Sequence, residues 1–202
     1  MKSRRDHLID TALKLFYTNG FNATGIDKIL AEAGVAKMTL YKHFPSKDDL
    51  ILAALERRDE QFRAWLVTEM EKAGPDPRAQ LLAMFDALES WFNGKAFKPL
   101  GFNGCAFINA ASEFGDIKHP AHKMAATHKQ RIVDHLERLC GAAGANDPHA
   151  LAEKLALLKE GAIATAHVRG MPEASRIARE MAEDLIAIAA PQQSQAPPAP
   201  DR

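Results

Sequence analysis

The stretch Lys37-Met38-Thr39-Leu40-Tyr41-Lys42-His43 gathers two ammonium groups, a hydroxyl, a phenol and an imidazole within one short segment. Such donors suit phosphate oxygens and base edges better than bond-making chemistry. Spacing sorts them into two faces. Leu40 and Phe44 stand four apart and share one side of a helix. A helix this short is marginal alone, so those two side chains have to pin it to neighbours. Lys37, Met38, Thr39, Tyr41, Lys42 and His43 are then left facing outward or at the rim. Upstream, Ile26, Ile29, Leu30 and Ala33 mark another short helix, with Thr24 as its expected cap and Asp27 three residues on. Ala33-Gly34-Val35 joins the two, and glycine there permits a turn that a Cβ would resist. Two short helices about a glycine turn have the layout of a helix-turn-helix, whose second helix enters a DNA major groove.

The rest of the chain excludes several alternatives. It has 202 residues, 47% hydrophobic and 26% charged, the mix of a folded globular protein. Its 26 basic and 26 acidic residues cancel. The balance is uneven along the chain: residues 1–47 hold eight bases against four acids, leaving eighteen bases and twenty-two acids for the remainder. A basic first quarter on an acidic body suggests that one end faces a polyanion. Two cysteines, Cys105 and Cys140, exclude a disulfide scaffold and a four-cysteine zinc site. No apolar run nears the roughly 18 residues of a membrane span, and Asp6, Asp10 and Lys14 interrupt any signal-peptide core. A cytoplasmic protein with reduced thiols, no cofactor and no metal is expected.

Helical periodicity runs almost throughout, and no useful segment alternates with period two. Leu8, Ala12, Leu15 and Phe16 mark a first helix that stops at Gly20. Ser46 with Asp49 opens a long helix to about Ala73, striped by Ile51, Leu55, Phe62 and Leu66. Asp76-Pro77 and Asp147-Pro148 each read as a cap followed by proline at the first helical position. Between them lie a helix with Leu81, Met84, Phe85, Leu88 and Phe92, a loop over 93–104, a helix over 105–114 and another from about His119 to Ala143. A helix carrying Leu151, Leu155, Leu158 and Ala162 follows, and Pro172 opens the last. The expected fold is all-α with about nine helices: a three-helix helix-turn-helix unit at 1–47, a helical body at 48–190, and a disordered Pro/Gln tail at 191–202.

Residues 4–52 resemble the DNA-binding domain of the tetracycline-repressor (TetR) family of bacterial regulators. The resemblance rests on Leu15-Phe16…Gly20-Phe21, Thr24-Gly25-Ile26…Ile29…Ala33-Gly34-Val35, Lys37 through Phe44, and Ser46-Lys47-Asp48-Asp49-Leu50. It implies a homodimer, a palindromic double-stranded operator, and a C-terminal body that binds a small effector. Carried over by position, Thr24 falls where the family meets a phosphate at the start of helix 2. Lys37, Met38 and Thr39 fall where it reads base edges, Tyr41 and His43 where it grips the backbone, and Lys47 where helix 4 meets a phosphate. Met38 replaces the small residue of many members and offers apolar contact, not a hydrogen-bond code.

In the body, Trp65, Phe85, Leu88, Trp91, Phe92, Cys105, Phe107, Asn109, Glu113 and His128 are candidates for an effector site, with Phe102 and His167 nearby. The aromatic residues equally serve as core filling. Residues 103–113 resemble a G-C-x-x-x-N…E segment of one family branch. Helices 5 and 6, counted from Gln80 to Phe92 and from Cys105 to Phe114, hold Asp86, Glu89 and Glu113 but no lysine or arginine, and Lys123, Lys129 and Arg131 are expected on the solvated face of helix 7. A small apolar effector, neutral or weakly cationic, therefore costs least. Small residues at Gly161-Ala162-Ile163-Ala164-Thr165-Ala166 suit helices 8 and 9 to dimerisation. The expectation is a repressor released from its operator by that effector, not an enzyme. Thiol sensing through Cys105 is the alternative, and a thiol-dependent enzyme is a remote one; no base adjoins Cys105 in sequence.

Overall fold

A computed structural model describes residues 3–191. Among them are nine α-helices and no strand. The tail expected at 191–202 lies outside the described residues from 192 onward.

Five of the nine helix starts carry a side-chain cap. Helix α1 (Arg4–Asn19) is capped by Ser3, whose hydroxyl accepts from the Asp6 N–H. Helices α2 (Ile26–Ala33) and α3 (Lys37–His43) follow, with Gly34 between them at φ 63°, a left-handed conformation open to glycine. The long α4 (Lys47–Glu71) opens with a complete Ser46–Asp49 capping box. Asp76-Pro77 starts α5 (Pro77–Phe92), and Asp147-Pro148 starts α8 (Pro148–Arg169), both with the aspartate accepting a backbone N–H. His119 caps α7 (Pro120–Ala142) through its ring nitrogen. The short α6 (Ala106–Glu113) begins one residue after Cys105.

Two expected starts differ. Gly25, not Thr24, caps α2, and no side chain bonds there. The Thr24 hydroxyl instead donates to the Gly20 carbonyl at 2.7 Å, an acceptor left free by the end of α1. The last helix, α9 (Ala174–Ala189), starts two residues beyond Pro172, whose carbonyl accepts from Ser175.

Helices α1 to α3 form the N-terminal bundle. α4 runs from it into the body, packing on α1 at one end and on α5 and α7 further along. Arg57 of α4 fixes that crossing by bonding Asp6 at 2.5 Å and Asp10 at 2.8 Å on α1. α8 lies against α7 and α9, and α9 closes on α5. Buried side chains from Leu8 to Ile186 form one connected core, so movement in the body has a packed route to the bundle.

Candidate DNA-binding face and effector core

Leu40 and Phe44 are buried, as their spacing requires, and hold α3 on the bundle. The opposite face is open. Met38 is 85% exposed and Tyr41 43%, with Lys37 and Lys42 exposed beside them and Thr39 and His43 at the rim. Arg5 lies over the Phe44 ring at 5.3 Å, tying the start of α1 to the end of α3. Lys47 is half-buried and donates to the Asn22 carbonyl at 3.2 Å. One carried-over position is corrected: Thr24 is wholly buried, with its hydroxyl spent on Gly20, and offers no surface to a phosphate.

In the body the aromatic residues converge. Trp91 packs edge-on against Phe62 at 5.1 Å and Phe102 at 5.0 Å, and Trp65 meets Phe97 at 4.8 Å. Phe92 reaches the cluster through Phe102, while Phe85 and Leu88 of α5 are fully buried in the common core. Phe107 of α6 stacks flat on His128 with centres 3.6 Å apart.

At the centre stands a residue the sequence reading passed over. Arg58 is 2% exposed, with its guanidinium 4.0 Å from the Phe97 ring centre and within 6 Å of those of Tyr17, Phe62 and Trp91. Its Nη1 and the Trp91 indole nitrogen are buried without a hydrogen-bond partner. Burial pulls the Arg58 pKa below its ordinary value. The run Glu56-Arg57-Arg58-Asp59 reads as a solvated face, yet Arg58 lies three residues after Leu55 and four before Phe62, on the apolar stripe itself. That register was the available signal. Lys159, 1% exposed and four residues after Leu155, was hidden in the same way.

Lys159 donates to Glu160, which also receives Lys129 at 2.5 Å. Burial lowers the Lys159 pKa. It also works against ionised Glu160, but the two ammonium groups outweigh it and bring that carboxyl to about 2. Lys129 Nζ also donates to Cys105 Sγ at 3.3 Å. Helix α7 therefore turns Lys129 inward, against expectation. The view that an anion in this core would lack cations is corrected too, because they come from α4, α7 and α8 rather than from α5 and α6.

His128 is a satisfied core histidine. Its Nδ1 bonds Asp59 at 2.7 Å, and Arg63 and Arg131 hold the other carboxylate oxygen at 2.8 and 2.5 Å. Burial lowers the His128 pKa to about 4 against the pull of Asp59, so the ring is neutral near pH 7. Burial also opposes ionised Asp59, but its three donors hold the carboxyl well below the usual range.

Asn109 and Glu113, expected in the effector site, face elsewhere. Asn109 donates to the Asn103 carbonyl at 3.3 Å. The Glu113 carboxylate accepts the Phe21 N–H at 2.8 Å and the Asn22 N–H at 2.7 Å, at the α1–α2 junction. At the other end of α6, Tyr17 of α1 donates to the Gly104 carbonyl at 2.7 Å and accepts from the Asn103 N–H at 2.8 Å. Both ends of α6 are thus bonded to α1 or to the segment that follows it.

No helix among the described residues is long and apolar enough to cross a membrane. Residues 8–54 match the family profile described as bacterial regulatory proteins, tetR family, and residues 77–182 match the tetracyclin repressor-like C-terminal domain. The chain is 25% identical over 186 residues to the HTH-type transcriptional regulator YjdC of Escherichia coli (strain K12), spanning 92% of this chain and 95% of that one. It is 29% identical over 135 residues to the HTH-type transcriptional repressor ComR of the same organism, across 65% of this chain and 63% of that one. The crystal structure of SCO4454, a TetR-family transcriptional regulator from Streptomyces coelicolor, superposes with a TM-score of 0.82 at 33% identity, covering 93% of this chain and 96% of the other. With an open recognition helix on a three-helix bundle and a helical body bonded to it through α6, this chain belongs to the TetR family of DNA-binding transcriptional regulators.

Proposed function

We propose that the protein is a cytoplasmic repressor released from its operator by a small effector bound in the aromatic core. Residues 1–47 form the DNA-binding head and 48–190 the effector-binding and dimerising body. Lys37, Met38 and Thr39 read base edges, while Tyr41, Lys42, His43 and Lys47 grip phosphates. The observation that carries the reading is α6. Phe107 on this helix packs into the aromatic core, and Glu113 at its end bonds the backbone after α1. An effector that shifts α6 shifts the head, provided it binds the two arrangements with different affinity.

The dimer forms through α8 and α9. Between these helices runs a groove of about 310 Å³ lined by Leu157, Ala162, Ile177 and Met181 among others. Leu157, Ile177, Met181 and Ile188 are exposed apolar side chains on the same two helices, as an uncovered interface requires. Two-fold pairing sets the recognition helices against successive major grooves of a palindromic operator, ~34–36 Å apart.

The test is a titration of the full chain on a duplex selected from a randomised library, with hydrophobic, cationic and phosphorylated compounds and melting followed in parallel. Release by hydrophobic compounds is expected. Release by a sugar phosphate or nucleotide alone overturns the reading. A second reading, thiol sensing through Cys105, has the Lys129 contact in its favour, although Cys105 is only 6% exposed. Cys105→Ser separates the two: an unchanged effector response discards the thiol reading.

A further inference from the structure

We infer that the effector is a monoanionic aromatic compound, an aryl or arylalkyl monocarboxylate, with its carboxylate on the buried guanidinium of Arg58. The inference rests on the body being an effector site and adds the ligand's charge.

The argument begins with what Arg58 lacks. No acidic side chain lies within ion-pair distance of it among the described residues, where Arg57, Arg63, Arg131 and Lys129 each have one. A buried, unpaired charge is costly. Ring faces of Phe97, Phe62, Tyr17 and Trp91 offset part of that cost, enough to hold the group charged but not to satisfy its N–H groups. Guanidinium and indole nitrogens only donate, so the two orphaned groups, Arg58 Nη1 and Trp91 Nε1, both call for an acceptor. A carboxylate supplies two acceptor oxygens and the missing negative charge in the planar form that a guanidinium fork matches.

The walls set the remainder of the ligand. They are rings, so their chemistry favours an aromatic or similarly flat apolar body over a polar one. Phe97, which covers the guanidinium, belongs to the α5–α6 loop and is the sole non-glycine residue at positive φ, 55°, among the described residues. That strain is of the kind found at ligand clamps. Nearby, Phe92, Phe102 and His167 line an open groove of about 260 Å³, and Phe102 is also a wall of the Trp91 cluster. One ring, that of Phe102, therefore separates the groove from the Trp91 cluster. A multiply charged ligand is disfavoured, because Lys129 and Lys159 already share Glu160.

The test compares benzoate, phenylacetate and 1-naphthoate with their amides and with benzylamine on the full chain. Tryptophan fluorescence and melting report binding, and operator release reports function. At least one acid should bind about 10- to 100-fold more tightly than its amide. Arg58→Met should abolish that preference, bringing the acid down to the affinity of its amide or below. Without ligand it should melt no lower than wild type, since an apolar chain replaces an unpaired charge. Arg58→Lys, which keeps charge but loses the fork, should weaken acid binding several-fold and serves if the methionine variant does not fold. Equal affinity for acids and amides, acid preference surviving in Arg58→Met, or no acid binding at all overturns the inference. Operator release by neutral compounds alone would overturn the charge assignment and leave the effector reading standing. A chain that binds operator but responds to nothing in the wider panel would overturn the effector reading itself.

Discussion

The carboxylate of Glu113, at the end of α6, accepts the backbone N–H of Phe21 at 2.8 Å, across 92 positions of sequence. With Asn22 as second donor, one side chain of the body fixes the turn between α1 and α2. Glu113→Ala leaves the Phe21 N–H without its acceptor and should cost about 1–3 kcal/mol. Hydrogen exchange at Phe21 and Asn22 should then quicken by roughly tenfold or more, with core amides of α5 and α8 protected as before. Effector binding should persist while operator release weakens. Unchanged exchange at both amides would show that the contact does not hold the head.

Tyr41→Ala and Lys37→Ala should fail differently. Tyr41, 43% exposed at the end of the recognition helix, is assigned to the backbone, so its loss should weaken specific and random duplexes alike. Lys37, exposed at the helix start, is assigned to a base edge, so its loss should relax preference at one or two base pairs, at about 1–3 kcal/mol each. Selection from a randomised operator library reads both. Uniform loss for both variants would remove the division of roles.

The sequence was most legible where local chemistry decides. Ser46–Asp49, Asp76-Pro77 and Asp147-Pro148 mark helix starts because capping depends on the next few residues alone. The outward face of α3 followed from Leu40 and Phe44 by periodicity. Thr24 and Glu113 were less legible for the same reason: each is decided by a partner that helical spacing does not reveal. A local cap was open to Thr24, but the free carbonyl at Gly20 took its hydroxyl. Glu113 looked inward by pattern and was claimed by two N–H groups from α1's end. Arg58 and Lys159 are hard to find from sequence because each is a charged residue at a core register position of its helix.

Subunit association should depend on the exposed apolar residues of α8 and α9. Met181 is 52% exposed and Leu157 74%, so Met181→Glu or Leu157→Asp places a charge in the proposed interface at little cost to the isolated subunit. Ile188→Asp acts the same way. Ala162→Glu is a poorer probe: Ala162 is 4% exposed, and the change would disturb the subunit's own packing. Sedimentation should show monomers for the first three variants, melting near wild type when corrected for concentration. A wild-type chain that sediments as a monomer at micromolar concentration would remove the palindromic operator model.

The Asp59–His128 pair makes a prediction about pH. His128 has a folded pKa of about 4, lowered by burial from an ordinary 6.5. Between these values the unfolded chain takes up a proton that the folded chain refuses. Stability from this group is therefore complete above pH 6.5, falls as pH drops through the window, and is flat below about 4. The loss over the whole window is on the order of 3 kcal/mol. The Asp59 shift has the same sign but acts lower: its stabilisation is present above the ordinary carboxylate range and is lost only under strong acid. The two contributions thus separate along the pH axis. Asn at position 128 keeps an N–H donor for Asp59 but does not titrate. Urea midpoints of wild type should fall markedly between pH 7 and 4.5, and those of His128→Asn should fall less over the same interval, whatever the variant's stability at pH 7. Parallel curves for the two proteins would show that His128 is protonated in the folded state, and the neutral donor role assigned to its ring would be wrong.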